Sequence, residues 1–130
     1  RWRRELIDRV APNAGHRALA DLEARLDAFT LITQNVDGLH RAAGSRHLLE
    51  LHGDIRRTVC SRDRSLLEDG EEGDEPPRCP RCGAPGRPDV VWFGEALPME
   101  ALEQAMEASS RCELFFSIGT SASVQPAASL

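Results

Sequence analysis

From His16 to Phe29 the apolar residues Leu19, Leu22, Leu26 and Phe29 recur at spacings of three and four. That periodicity gathers side chains on one face of a helix. Asn13, just ahead of it, is of the type that caps a helix start. The stretch TLIT, residues 30–33, then reads as a short buried strand, and VDGLHRAAG as a turn entering a short helix that Gly44 can end. A second strand is expected over HLLELHG, from His47 to Gly53. Further on, DVVWFGE is an extended apolar segment ending at Gly94. Pro98 to Ser110 reads as a helix with Leu102 and Met106 at i, i+4 and Pro98 suited to the first turn. Glu113 to Ser121, ELFFSIGTS, is expected to be a buried strand running into a small-residue turn.

Strands alternating with helices predict a parallel α/β sheet. The alternation breaks between Asp54 and Pro88, where three of the four cysteines, a cluster of prolines and the acidic run EDGEEGDE lie together. This predicts a small inserted module. The expected division is residues 1–54 and 89–130 as two parts of one Rossmann-type domain, with 55–88 as a zinc-ribbon-like insert. No internal repeat is visible.

Composition narrows the function classes. The formal net charge of -5 gives no basic face for counterion release, which argues against direct nucleic-acid binding. No apolar run reaches the roughly 18 residues of a membrane span. With no signal-peptide pattern, a soluble, cytoplasmic protein is expected. Every basic residue is Arg, which reads as coding bias and not as function. A first residue of Arg1 and a last segment, PAASL, without a terminating element suggest a chain cut at both ends.

Four cysteines without a secretory signal favour metal or free thiols over disulfides. Cys79-Pro-Arg-Cys82-Gly has the spacing of a zinc knuckle, and its glycine permits a tight turn. A second pair is expected about 15 to 20 residues away. Cys60 is at that distance, but Asp63 stands where its partner cysteine belongs. Three readings follow: Cys60, Cys79 and Cys82 with Asp63 as an oxygen ligand; a decayed site of ordinary thiols held by packing; or three cysteines and a water. If metal is bound, its role is structural, since nothing else in the module supplies a general base. Cys112 leads into an apolar segment and is expected to be a buried free cysteine. The acidic run from Glu68 to Glu75 is expected to be a solvated loop.

In open α/β sheets, ligands bind beyond the carboxyl ends of the strands. Three such ends carry polar groups here: Gln34, Asn35 and Asp37; His52 with Gly53; and Gly119, Thr120 and Ser121. Amide and carboxylate groups suit a nucleotide-like ligand, and a Gly-Thr-Ser turn can present N–H groups and hydroxyls to ribose or phosphate. A histidine at such an end can act as a general base near neutral pH. His16, His40 and His47 have no comparable setting.

The ordered motifs TQNVDGLH, LLELHGD, CPRCG, RPDVVWFGEALP and IGTSASVQPAA resemble those of the sirtuins, the NAD-dependent protein deacylases, from about Pro12 onward. Trp92 in RPDVVWFGE is more similar to the bacterial and desuccinylase-like branch. The resemblance implies a Rossmann-type domain with an inserted zinc module, and NAD meeting an acyl-lysine protein or peptide between them. It assigns Gln34, Asn35, Val36 and Asp37 to the nicotinamide and ribose pocket, His52 to the catalytic base, and Gly119, Thr120 and Ser121 to the adenosine side of NAD. Val91, Trp92, Phe93, Gly94 and Glu95 would hold the substrate backbone by strand addition. Zinc would sit on Cys60, Cys79 and Cys82. The implied products are deacylated lysine, O-acyl-ADP-ribose and nicotinamide.

The family's glycine-rich NAD loop has no counterpart ahead of the first helix, nor does its C-terminal strand follow IGTSASVQPAA. The isolated chain is therefore expected to be inactive, and its acyl preference is open. Two other classes compete: a non-catalytic zinc-ribbon interaction module, and a partner-binding fragment using the acidic loop.

Overall fold

The computed structural model describes residues 2–68 and 75–130, so most of the acidic run, residues 69–74, lies outside the described residues. Two small sheets organise the chain. In the first, β1 (Leu31–Thr33) pairs in parallel with β2 (Leu48–Glu50), Leu31 opposite Leu48. In the second, β3 (Gly53–Cys60) is the centre strand, antiparallel to both β4 (Leu66–Leu67) and β5 (Gly86–Val90). The parallel α/β unit and the cysteine-bearing insert are both present.

Among the described residues four α-helices accompany these strands: α1 (Trp2–Ile7), α2 (Ala14–Glu23), α3 (Leu39–Ala42) and α4 (Met99–Arg111). Asn13 caps α2 as its sequence suggests. His16 N–H donates to the Asn13 side chain at 3.1 Å, and the His16 ring accepts from the Asn13 N–H at 3.2 Å, a reciprocal box. Gly44 follows α3 at φ +106°, the stop its sequence predicts. One core cluster joins Leu51, Leu97, Ala105 and Ala127, with Ile32, Leu49 and Val91 packed against it. The other joins Cys60, Leu67 and Cys79.

Several expectations need correction. The α2 helix stops at Glu23, after which Arg25 and Leu26 N–H tighten onto the Leu22 and Glu23 carbonyls three residues back, so Leu26 and Phe29 fall beyond it and Leu26 is exposed. The segment from His47 to Gly53 is two strands meeting at a turn over Leu51 and His52. Trp92 to Glu95 is a turn, closed by Glu95 N–H on the Trp92 carbonyl at 2.9 Å, so DVVWFGE is extended only through Val90. Pro98 sits at the α4 N-cap, not in its first turn, and Ala105 is the buried residue of that helix while Met106 is exposed.

The largest departure is Glu113 to Ser121, which forms no strand. Leu114, Phe116 and Ile118 are 70%, 66% and 70% exposed. A strand requires a hydrogen-bonded neighbour, and among the described residues nothing pairs with this segment. Cys112 is likewise exposed, because it caps the end of α4 just before this uncovered stretch. The α1 helix has no counterpart in the sequence pattern. It is anchored by Arg4, whose guanidinium donates to the Ile55 carbonyl at 2.6 Å, the Arg57 carbonyl at 3.1 Å and Thr58 Oγ1 at 3.0 Å. These acceptors lie where the β3–β5 register shifts between Asp54 and Thr58. The bulge frees carbonyls from the ladder, and Arg4 satisfies them.

An ion network joins the two sheets. Glu50, at the end of β2, accepts from Arg41 and Arg57 at 3.0 Å each; Arg57 continues to Asp89 at 2.9 Å, and Asp89 to Arg64 at 2.8 Å. No described helix is long and apolar enough to cross a membrane.

Candidate functional site

The ends of β1 and β2 meet at His52. Its Nδ1 lies 2.8 Å from the Gln34 carbonyl oxygen. A carbonyl only accepts, so Nδ1 must carry the proton, and in the neutral ring Nε2 is the basic nitrogen. The His52 backbone is held as well, its carbonyl accepting from Val91 N–H at 3.0 Å. Gly53 permits this junction. At φ +82° it lies in the left-handed region, and a Cβ there would stand 2.0 Å from the Asp89 carbonyl oxygen. No other residue type fits.

The loop after β1 is fastened to the same place. Ile55 N–H donates to the Val36 carbonyl at 2.9 Å, Asn35 N–H to Thr33 Oγ1 at 3.1 Å, and Leu39 N–H to Asp37 Oδ1 at 2.9 Å, which orients the Asp37 carboxylate at the start of α3. The third polar group arrives through Gln34, whose amide donates to Thr120 Oγ1 at 3.3 Å. Thr120 Oγ1 also accepts from Ala122 N–H at 3.2 Å, and Gly119 and Ala122 both have positive φ, a tight turn beside the β1 end. Gln34, His52 and Thr120 are thus brought together by direct contacts. Ser121 instead bonds Ser123 at 2.6 Å on the exposed side.

The 91–95 segment borders His52 through Val91. Glu95 takes both amino groups of Arg87, one at 2.9 Å, and accepts from Trp92 N–H at 3.0 Å; the Arg87 guanidinium lies 3.7 Å from the Trp92 ring centroid. Arg87 and the Trp92 N–H hold the Glu95 carboxyl down at about 2. A carboxylate depressed from 4.5 stabilises the turn fully above pH 4.5, and that contribution is lost as pH falls toward about 2. The fluorescence of Trp92 is therefore expected to change across this acid window in the native sequence and not in Glu95→Gln. An identical acid response in both would remove Glu95 as its source.

In the insert, the Cys60, Cys79 and Cys82 sulfurs lie within 4.8 Å of one another, and Cys60 to Cys82 is 3.5 Å. None of the cysteines is in a disulfide. The Arg81 N–H, with help from Cys82, lowers the Cys79 thiol to about 7 against the opposing effect of burial. At Cys60 the Asp63 and Arg62 N–H groups favour the thiolate, but burial and the neighbouring Cys82 and Asp63 outweigh them and push the thiol up. Three converging sulfurs, two of them buried, fit a soft or borderline cation such as zinc. Asp63 stands outside this close group, bound to Arg81 at 2.8 Å and to Ser65 Oγ at 2.7 Å.

Contacts invisible in the sequence involve the other histidines. The His16 and His40 rings pack at a tilt with their centroids 4.6 Å apart, joining α2 to α3. Burial, then the neighbouring His16, lowers the His40 pKa, with Asp37 opposing. The His47 ring meets Glu23 at 2.9 Å.

A parallel α/β sheet whose strand ends gather amide, carboxylate, hydroxyl and imidazole groups, with a three-cysteine ribbon inserted after the second strand, defines a Rossmann-type protein with a cysteine-ribbon insert. The chain belongs to the Sir2 family, whose model matches residues 1–126. It is 50% identical, over 99% of its length, to an NAD-dependent protein deacylase 1 from Caldanaerobacter subterraneus subsp. tengcongensis, of which it covers 54%. A solved Sir2 homolog–NAD complex superimposes with a TM-score of 0.90 at 44% identity, covering 98% of this chain and 51% of that one. A Sir2–p53 peptide–NAD+ structure gives 0.82 at 38% identity, over 94% of this chain and 53% of that one. The chain thus spans about half the length of the relatives it matches.

Proposed function

We propose that the protein containing this chain removes acyl groups from protein lysines with NAD as co-substrate. The observation that carries this is His52, fixed by the Gln34 carbonyl with Nε2 as its basic nitrogen at the meeting point of the strand ends. In this reading Gln34, Asn35, Val36 and Asp37 line the nicotinamide and ribose pocket, and Gly119, Thr120 and Ser121 face the adenosine side. The acyl oxygen displaces nicotinamide from the ribose anomeric carbon. His52 Nε2 then takes the proton of a ribose hydroxyl, which attacks the resulting intermediate; water completes the release of lysine and O-acyl-ADP-ribose. Val91 to Glu95 would hold the acyl-lysine peptide, with Val91 tied to His52 and Phe93 fully presented at 99% exposure. The relatives' names and the NAD and peptide complexes support the same substrates.

The division into residues 1–54 and 89–130 as the dinucleotide-binding part and 55–88 as the zinc module belongs to this proposal, as does zinc on Cys60, Cys79 and Cys82. Unpaired thiols packed together suit a reducing compartment, which favours the cytoplasm. About one equivalent of zinc per chain is expected by elemental analysis, with chelation loosening the β3–β5 sheet; metal-free protein of unchanged stability would remove zinc from the account. Isothermal titration with NAD tests the function, using the complete gene product and its Asp37→Ala variant. Saturable heat, weakened in the variant, is expected; no heat would leave a non-catalytic interaction module.

A further inference from the structure

The two turns that present the cysteines share one backbone shape although their sequences differ. In the second, Gly83 N–H donates to the Cys79 carbonyl at 2.8 Å, and Gly83 has φ +70°. In the first, Arg64 N–H donates to the Cys60 carbonyl at 3.0 Å, and Arg64 has φ +60°. Cys60 and Cys79 therefore occupy equivalent places, and Asp63 is the equivalent of Cys82. Glycine adopts this φ freely, whereas a residue with a Cβ does so uncommonly. An arginine held there shows that the first turn keeps the metal-knuckle shape with a carboxylate in place of its second thiol.

We infer that Asp63 supplies the fourth ligand of the metal site, giving three sulfurs and one carboxylate oxygen. This rests on reading Cys60, Cys79 and Cys82 as a zinc site. One Asp63 carboxylate oxygen accepts from Ser65 N–H at 3.0 Å and Ser65 Oγ at 2.7 Å, and the other from Arg81 at 2.8 Å. An ionised carboxylate has about four lone-pair sites, so these bonds leave room for a cation. They are also the kind of outer contact that orients a ligating carboxylate. Arg81 lies between Cys79 and Cys82, so the second turn itself holds the ligand offered by the first. Zinc accepts carboxylate oxygen, and three thiolates with one carboxylate carry the same formal charge as four thiolates. Asp63 is not one of the three close-set ligand residues, so ligation by its carboxylate requires it to turn toward the sulfurs.

Cobalt(II) substitution in the complete gene product tests this, alongside zinc competition against a chromophoric chelator. Asp63→Asn is expected to shift the cobalt ligand-field bands and weaken zinc by at least about tenfold. Asp63→Cys is expected to raise the sulfur-to-cobalt charge-transfer absorption by one thiolate's share. An Asp63→Asn protein with the native cobalt spectrum, or an Asp63→Cys protein without that gain, would overturn the inference and leave the three-cysteine site standing with a water as fourth ligand. Native protein that binds neither ion would overturn the zinc reading and this inference with it.

Discussion

Replacing His52 by alanine in the complete gene product is expected to lower turnover of an acyl-lysine peptide by about 10²–10⁴-fold, the usual contribution of a positioned general base. NAD binding should largely survive. The reason lies in the two nitrogens of the ring. The Gln34 carbonyl takes the Nδ1 proton at 2.8 Å, so the imidazole is oriented by backbone and not by another titratable side chain. Deleting the ring removes the proposed proton acceptor but leaves Gln34 on Thr120 and Asp37 on Leu39 N–H, the contacts that shape the proposed nucleotide side of the site. A loss of NAD binding as large as the loss of turnover would recast His52 as a binding residue. Turnover at the native rate would remove it from the chemistry.

The second large effect concerns the residue beside it. Gly53→Ala is expected to cost about 2–5 kcal/mol of stability, summing ~1–2 kcal/mol for a left-handed residue with a Cβ and ~1–3 kcal/mol for overpacking. The new methyl carbon would stand 2.0 Å from the Asp89 carbonyl oxygen and 2.9 Å from its carbon, both rigid backbone. Relief requires β3 and β5 to part where Gly53 pairs with Val90. That displacement would also break the Val91 N–H bond to the His52 carbonyl, so activity should fall with stability. Denaturant titration reads the first effect; a change below about 1 kcal/mol would mean that the junction is far more yielding than its contacts imply.

Much of this site is legible in the sequence because its signals are local. The Asn13 cap, the Gly44 stop and the polar residues after TLIT and HLLEL depend on chain neighbours, and each is found in its expected place. What the pattern misses depends on distant partners. ELFFSIGTS has the composition of a buried strand but no neighbour to pair with among the described residues, so its apolar side chains are exposed. Trp92 to Glu95 reads as extended until Arg87, from β5, draws Glu95 back into a turn. The anchoring of α1 by Arg4 spans more than fifty positions, from Arg4 to Arg57 and Thr58, and no periodicity could announce it. The Asp63–Arg81 pair likewise requires the two cysteine turns to be folded together before either residue has a partner.

We read these strand ends, with His52 among them, as serving an NAD-consuming removal of acyl groups from lysine. Product analysis of the complete gene product, supplied with NAD and acyl-lysine peptides of different acyl groups, tests it most directly. Nicotinamide, deacylated peptide and O-acyl-ADP-ribose are expected in equal amounts, with none formed when NAD is withheld. Deacylation that proceeds without NAD, or NAD and peptide both recovered intact for every acyl group tried, would contradict it.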